Sequence, residues 1–232
     1  MNAKLLGFAA LLFSSRAFCA PHLEPCNRVD DYEDRVEHLL RDAWPEELQL
    51  LVVIYLPLTE RGVGVTSGSD GFNLVRLQFE ESFWYSSWKT VEPGTDLSAL
   101  PGVDIVSTEV FREDGRPLET QVLDFSTTRV RVSKLSVPIS EALGRALLAD
   151  FRRSVEAAKP ERKGPLDEII ADGYRFEILL AGHPCVQLAN PPRESEAGRL
   201  DELARLLDNE LPAWRPGETE EFERKVMAMI AR

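Results

Sequence analysis

Strand-like segments in this chain come in sequential runs rather than singly between helices, and that order narrows the fold more than any motif does. Residues 48–57, LQLLVVIYLP, are a short apolar run rich in branched side chains, which suits a strand buried on both faces. Thr59–Gly62 has the composition of a turn, and residues 62–66 can pair back on the first run. Ser67-Gly68-Ser69-Asp70-Gly71 is a dense turn signal, followed by a strand over Phe72–Phe79 and a further strand over Ser82–Trp88. Together these segments predict an antiparallel meander. Two short strands are expected near Asp104–Phe111 and Gln121–Phe125, and a clearer one over residues 128–137. Tyr174–Leu180 and Cys185–Ala189 flank Gly182-His183-Pro184 as a hairpin would.

Helical periodicity appears between and after these runs. Val29, Tyr32, Val36, Leu39, Leu40 and Ala43 mark one stripe over residues 28–44, with Asn27 placed as an N-cap and Pro45 as the stop. Ser140 caps a helix of about 140–158, in which Leu143, Leu147, Phe151 and Val155 recur every four residues. Leu200, Leu203, Leu206 and Leu207 predict a third helix over 195–210, and Phe222, Val226 and Met229 a last one from about 218. The order predicts an α+β fold, a mainly antiparallel sheet packed with three to four helices. We find no internal repeat and no linker that divides residues 21–232, which are expected to form a single domain with 212–232 as a C-terminal helical extension.

The N-terminus carries an address. Lys4 precedes an uncharged apolar stretch from Leu5 to Phe13, and small residues follow, the layout of a secretory signal peptide over residues 1–20. That stretch is far shorter than the roughly 20 residues a bilayer-spanning helix needs. The expected location is periplasmic or extracellular, with no stable membrane span once the signal is removed. The chain has 27 Lys+Arg against 39 Asp+Glu, a net charge of −12, and loss of Lys4 and Arg16 with the signal makes it −14. Such acidity argues against nucleic acid as a partner, because phosphate binding needs a basic surface. Cys26 and Cys185 remain after cleavage, and in an oxidising compartment an even pair favours one disulfide. The competing reading is two separate thiols, with Cys185 buried in a strand.

Common catalytic signatures are missing. The three histidines, His22, His38 and His183, form no His-Glu-x-x-His motif, and no paired-Cys metal motif is present. Asp34, His38 and Asp42 would align on one helix face, although the ordinary reading is the solvated side of an acidic helix. No metal and no cofactor is expected. No Gly-x-Ser-x-Gly elbow occurs. His183 and Cys185 would share a strand face, which leaves a Cys–His hydrolase as the alternative function. The carboxylate form of that hydrolase alternative would use Asp167 with Glu168, or Glu80 with Glu81, as acid and base in the manner of glycosidases, but adjacent acids in a strand point to opposite faces. The glycines of Gly62-Val63-Gly64 and Gly68–Gly71 lack the Lys-Ser/Thr ending of a phosphate loop.

The densest unusual feature is Phe83-Trp84-Tyr85-Ser86-Ser87-Trp88. On a strand, Trp84, Ser86 and Trp88 share one face, and Phe83, Tyr85 and Ser87 share the other. Large flat aromatics there would anchor a protein partner or an envelope component, while the plain alternative is core packing. The expected function is therefore an exported, non-catalytic binding protein.

Leu51-Val-Val-Ile-Tyr-Leu-Pro57 with Glu60, Phe83-Trp84-Tyr85, Val137-Pro138-Ile139-Ser140, and Asp172-Gly173-Tyr174-Arg175-Phe176 before Pro191-Pro192 also form a familiar layout. Over residues 45–210 it resembles a group of uncharacterised, signal-peptide-bearing bacterial envelope or secreted proteins. Cys185 and the N-terminal helix depart from that group's pattern. The resemblance implies an exported α+β protein and no particular chemistry.

Overall fold

In a computed structural model, the described residues are 23–26, 31–43, 48–56, 59–92, 95–96, 103–111, 117–158, 175–189, 191–211 and 219–232. The expected signal peptide, Asn27, the pair Asp167 and Glu168, and the start of the 212–232 extension lie outside them. The fold is α+β, with all strand pairings antiparallel among the described residues.

The strands are β1 (Glu24–Pro25), β2 (Leu48–Leu56), β3 (Thr59–Gly68), β4 (Gly71–Phe79), β5 (Trp88–Val91), β6 (Val103–Phe111), β7 (Pro117–Asp124), β8 (Val132–Ile139), β9 (Arg175–Leu180) and β10 (Val186–Ala189). The helices are α1 (Asp31–Asp42), α2 (Phe83–Ser86), α3 (Glu141–Glu156), α4 (Glu196–Glu210) and α5 (Thr219–Ile230). Seven strands form one sheet in the order β1-β10-β9-β2-β3-β4-β8, and β5-β7-β6 form a second.

The meander is β2-β3-β4. Its β3–β4 turn is tight, pairing Gly68 with Gly71 around Ser69-Asp70. Gly71 takes φ 102°, a left-handed backbone that a side chain would strain. The turn expected over Thr59–Gly62 is instead strand, because β3 pairs with β2 as far as Thr59 opposite Leu56.

β2 lies in the interior of the sheet and is covered on both faces, so Leu50 through Tyr55 are all buried. Alternate residues therefore serve two cores. Leu50, Val52 and Ile54 meet α3, α4 and α5 through Leu147, Phe151, Leu203, Leu207, Phe222 and Val226. Leu51, Val53 and Tyr55 meet α1 through Val36 and Leu40, and also Phe83, Leu123 and Phe125. The helices over the first face sit close. A Cβ on Gly144 of α3 would overlap the Phe72 ring. The last helix packs on α3 and α4, burying Phe222 and Val226. Between β3, β4 and α4, the buried Asp208 takes Arg61 at 2.9 Å and Arg76 at 2.5 Å.

Two further sequence expectations change. Residues 82–88 are not one strand. Ser82 caps α2, its side chain accepting the Tyr85 N–H, and a strand begins only at Trp88. That strand belongs to the small sheet, not to the meander. The segment expected over 128–137 pairs from Val132 to Ile139, because residues 125–127 turn around Asp124.

Candidate functional site

Glu60 determines how the aromatic segment is presented. It sits at the start of β3 and is almost fully buried. A buried carboxylate must be satisfied by donors. Here the donors are the Phe83 N–H at 3.2 Å, the Trp84 N–H at 3.3 Å and the Tyr32 hydroxyl at 2.5 Å. Burial and the Glu60 carboxylate push the Tyr32 hydroxyl far above its ordinary range, so it remains a donor. Glu60 thus meets the otherwise unpaired N–H groups of the first turn of α2. The helix is pinned from below by Phe83, which is buried against Phe79 and Phe125.

This arrangement displays Trp84 and Tyr85. Trp84 is 36% exposed and Tyr85 59%. Trp84 touches Tyr32, Phe125 and Trp88, with ring centroids at 5.3, 5.8 and 6.5 Å. Trp88 is half-buried and packs on the core beneath α1. The two tryptophans named from the sequence therefore do meet, through a helical turn and not along a strand face. Trp84 presents surface and Trp88 supports it. Tyr85, expected on the opposite face, joins Trp84 at the surface.

A cleft of about 450 Å³ opens beside this cluster, lined by Asp34, Arg35, His38, Phe125 and Ser126. Phe125 is shared between cleft and cluster. Its turn is fixed by Asp124, whose carboxylate accepts from Lys89 Nζ at 2.6 Å and from Ser126 and Thr127. Burial pushes the Asp124 carboxyl up, but those bonds outweigh it and hold it well below the usual range.

Beneath the first turn of α1 lies a second polar group that sequence reasoning did not find. Arg175 bonds Glu33 at 2.5 Å, lies 3.9 Å from Glu177, and stacks over the Tyr55 ring at 4.6 Å. The Tyr55 hydroxyl donates to Glu177 at 3.2 Å. Burial opposes the Arg175 charge, but the neighbouring Glu33 and Glu177 carboxylates hold its pKa up. Burial, then Glu177, push the Tyr55 hydroxyl up in turn. A charged residue centred in RFEILL was the available signal, since Glu177 is 0% exposed inside an apolar strand.

The remaining sequence candidates separate. Cys26 and Cys185 form a disulfide with a Cα separation of 5.4 Å. Cys185 is thus not a free nucleophile here, and His183 lies in the β9–β10 turn, not on a strand beside it. His38 and Asp42 form an exposed pair at 3.4 Å. Asp34 and His38 both line the cleft, and Asp34, His38 and Asp42 do not converge as a three-ligand group. Glu80 and Glu81 are exposed, and Glu80 pairs with Arg131 at 3.0 Å. Gly62 and Gly64 are strand residues in β3. Among the described residues, no helix is long and apolar enough to cross a membrane. Comparison of the chain with protein-family models, with curated proteins and with solved structures gave no match.

Proposed function

We propose that this is an exported, non-catalytic binding protein that takes a partner protein or an envelope component through the ridge formed by Trp84 and Tyr85. One observation carries the reading. Two large aromatics stand exposed on a turn whose backbone is held by a buried carboxylate. Exposed aromatics on a rigid base bury much area on binding and lose little conformational freedom in doing so. Trp88 and Phe125 support Trp84 from the protein side. Export is supported by the signal-like N-terminus and by the disulfide, which persists in oxidising compartments. The acidic surface favours a partner with basic groups near the ridge.

The test is affinity capture on immobilised protein from native envelope and secreted extracts, at low and moderate salt. A component retained near stoichiometry by the wild type, and lost on a folded Trp84→Ala variant, supports the reading. Components retained equally by both proteins, or lost with salt alone, contradict the aromatic ridge as the binding face. An empty capture at both salts, together with turnover in an esterase, peptidase and glycosidase screen, would favour the hydrolase alternative.

A further inference from the structure

The disulfide closes β1 onto β10, where a short main-chain ladder also joins the two strands. The Cys26 N–H donates to the Cys185 carbonyl at 3.1 Å, extending the pairing of Glu24 with Gln187 and Pro25 with Val186. Glu177 stands one strand further in, on β9 opposite Gln187. A Glu177 carboxylate oxygen and the two sulfurs all lie within 4.8 Å of one another. Glu177 is fully buried, whereas both cysteines are half-buried at the rim. The placement of a buried carboxylate against a pair of sulfurs has no role in the aromatic ridge.

We propose that reduction of the Cys26–Cys185 bond converts this corner into a three-ligand site, two thiolates and the Glu177 carboxylate, for a divalent cation of zinc's class. The donor set is the argument. Thiolate with carboxylate suits a borderline-soft cation, at about 2.3 Å from sulfur and 2.0–2.2 Å from oxygen. Tetrahedral coordination would set the sulfurs roughly 3.8 Å apart, which rotation of the side chains on Cα atoms 5.4 Å apart can supply. A divalent cation with two thiolates and one carboxylate carries a single negative charge. The Arg175 guanidinium lies 3.9 Å from Glu177 and bonds Glu33 more closely, so with both carboxylates counted the corner holds one net negative charge, against three without the cation. Three protein ligands leave one position open, and the half-buried cysteines place it at the rim, where a cation can enter.

The chemistry balances as follows. A dithiol delivers two electrons and two protons to the sulfur–sulfur bond and closes into its own disulfide, leaving two cysteine thiols. The cation then displaces both thiol protons to solvent. Disulfide and metal are mutually exclusive, so the corner holds either a covalent staple or a cation, according to the thiol supply.

The purified full-length chain is reduced with dithiothreitol, freed of it by anaerobic gel filtration and titrated with Co²⁺. We expect one Co²⁺ per chain, with a thiolate-to-metal band in the near ultraviolet, and no such band in the unreduced protein. Zn²⁺ should displace it. Glu177→Gln should bind at least about tenfold more weakly, since even an outer-shell change costs that much, and Cys26→Ser about 100-fold or more. Reduced wild type with all three thiols titratable, Cys19 as well as Cys26 and Cys185, and native circular dichroism, but no band at submillimolar metal, would overturn the proposal. So would a folded Glu177→Gln that binds as tightly as the wild type. If Glu177→Gln does not fold, Cys26→Ser decides, and unchanged affinity there overturns the site.

Discussion

Reducing the Cys26–Cys185 bond, or replacing both cysteines with serine, should cost this fold about 5 kcal/mol. The bond spans 159 residues of sequence. In the chain-entropy account, a closed loop of that length removes about 5 kcal/mol of freedom from the unfolded chain. Little else compensates at that end of the sheet. β1 pairs over two residues only, and Leu23 is its buried apolar anchor. Total stabilities of single domains are about 5–15 kcal/mol, so the loss is a large share. With a urea slope near 3 kcal/mol/M, as expected for a chain of this size, the midpoint should fall by roughly 1.5–2 M. The assay is urea unfolding followed by tryptophan emission and far-ultraviolet circular dichroism together. It is run on oxidised and reduced protein with chelator present, so that no cation restores the staple, and reduction is verified by thiol titration. A midpoint shift below about 0.3 M, equivalent to roughly 1 kcal/mol, would refute the reasoning. It would mean that the sheet ignores its N-terminal tie and that only residues 23–26 undock.

Other consequences are local. Glu60→Ala removes the acceptor of two backbone N–H groups and the Tyr32 hydroxyl. It should cost about 3 kcal/mol in urea unfolding and shift Trp84 emission as α2 loosens. Asp208→Asn takes the shared carboxylate from Arg61 and Arg76. We expect a loss of about 3 kcal/mol, the lower end of the range for a broken buried pair because both guanidiniums keep some contact with water. The Asp124 carboxyl is depressed in the folded state, so its contribution to stability is fully present above the unfolded carboxyl range near pH 4. That contribution is lost as pH falls through the lower folded value. Thermal melts from pH 6 down to about pH 2 should therefore show a smaller acid-induced loss for Asp124→Asn than for wild type, after a lower starting stability.

Much of the fold was legible because it rests on period and local chemistry. The apolar run over residues 48–57 suits a strand buried on both faces, as β2 is, and Ser140, read as a cap, accepts the Leu143 N–H at the start of α3. The segment 82–88 was misjudged for a physical reason. Its aromatic composition favours a strand locally, but a helical turn is stabilised by Glu60, which lies 23 residues away. Nothing in the local sequence carries that contact. Trp84 and Trp88, expected on one face of a strand, meet instead through a helical turn, which brings Tyr85 to the surface beside Trp84. The polar group under α1 is only partly legible. Glu177 inside the apolar run RFEILL is a local signal of a buried acid, but its partners are set by strand pairing. Arg175 and Glu177 reach Tyr55 because β9 returns beside β2, across 122 residues of sequence.

The claim that Trp84 and Tyr85 form a binding surface is tested most directly by affinity. Once a captured component is purified, its Kd should be measured by titration calorimetry for the wild type and for Tyr85→Ala. Tyr85 is 59% exposed, so its removal should leave the unfolding midpoint within about 0.5 kcal/mol of wild type. A central aromatic anchor is worth about 2 kcal/mol or more, so the account predicts a Kd weaker by roughly 30-fold. A Kd within about twofold of wild type would contradict it and move the contact elsewhere on the surface.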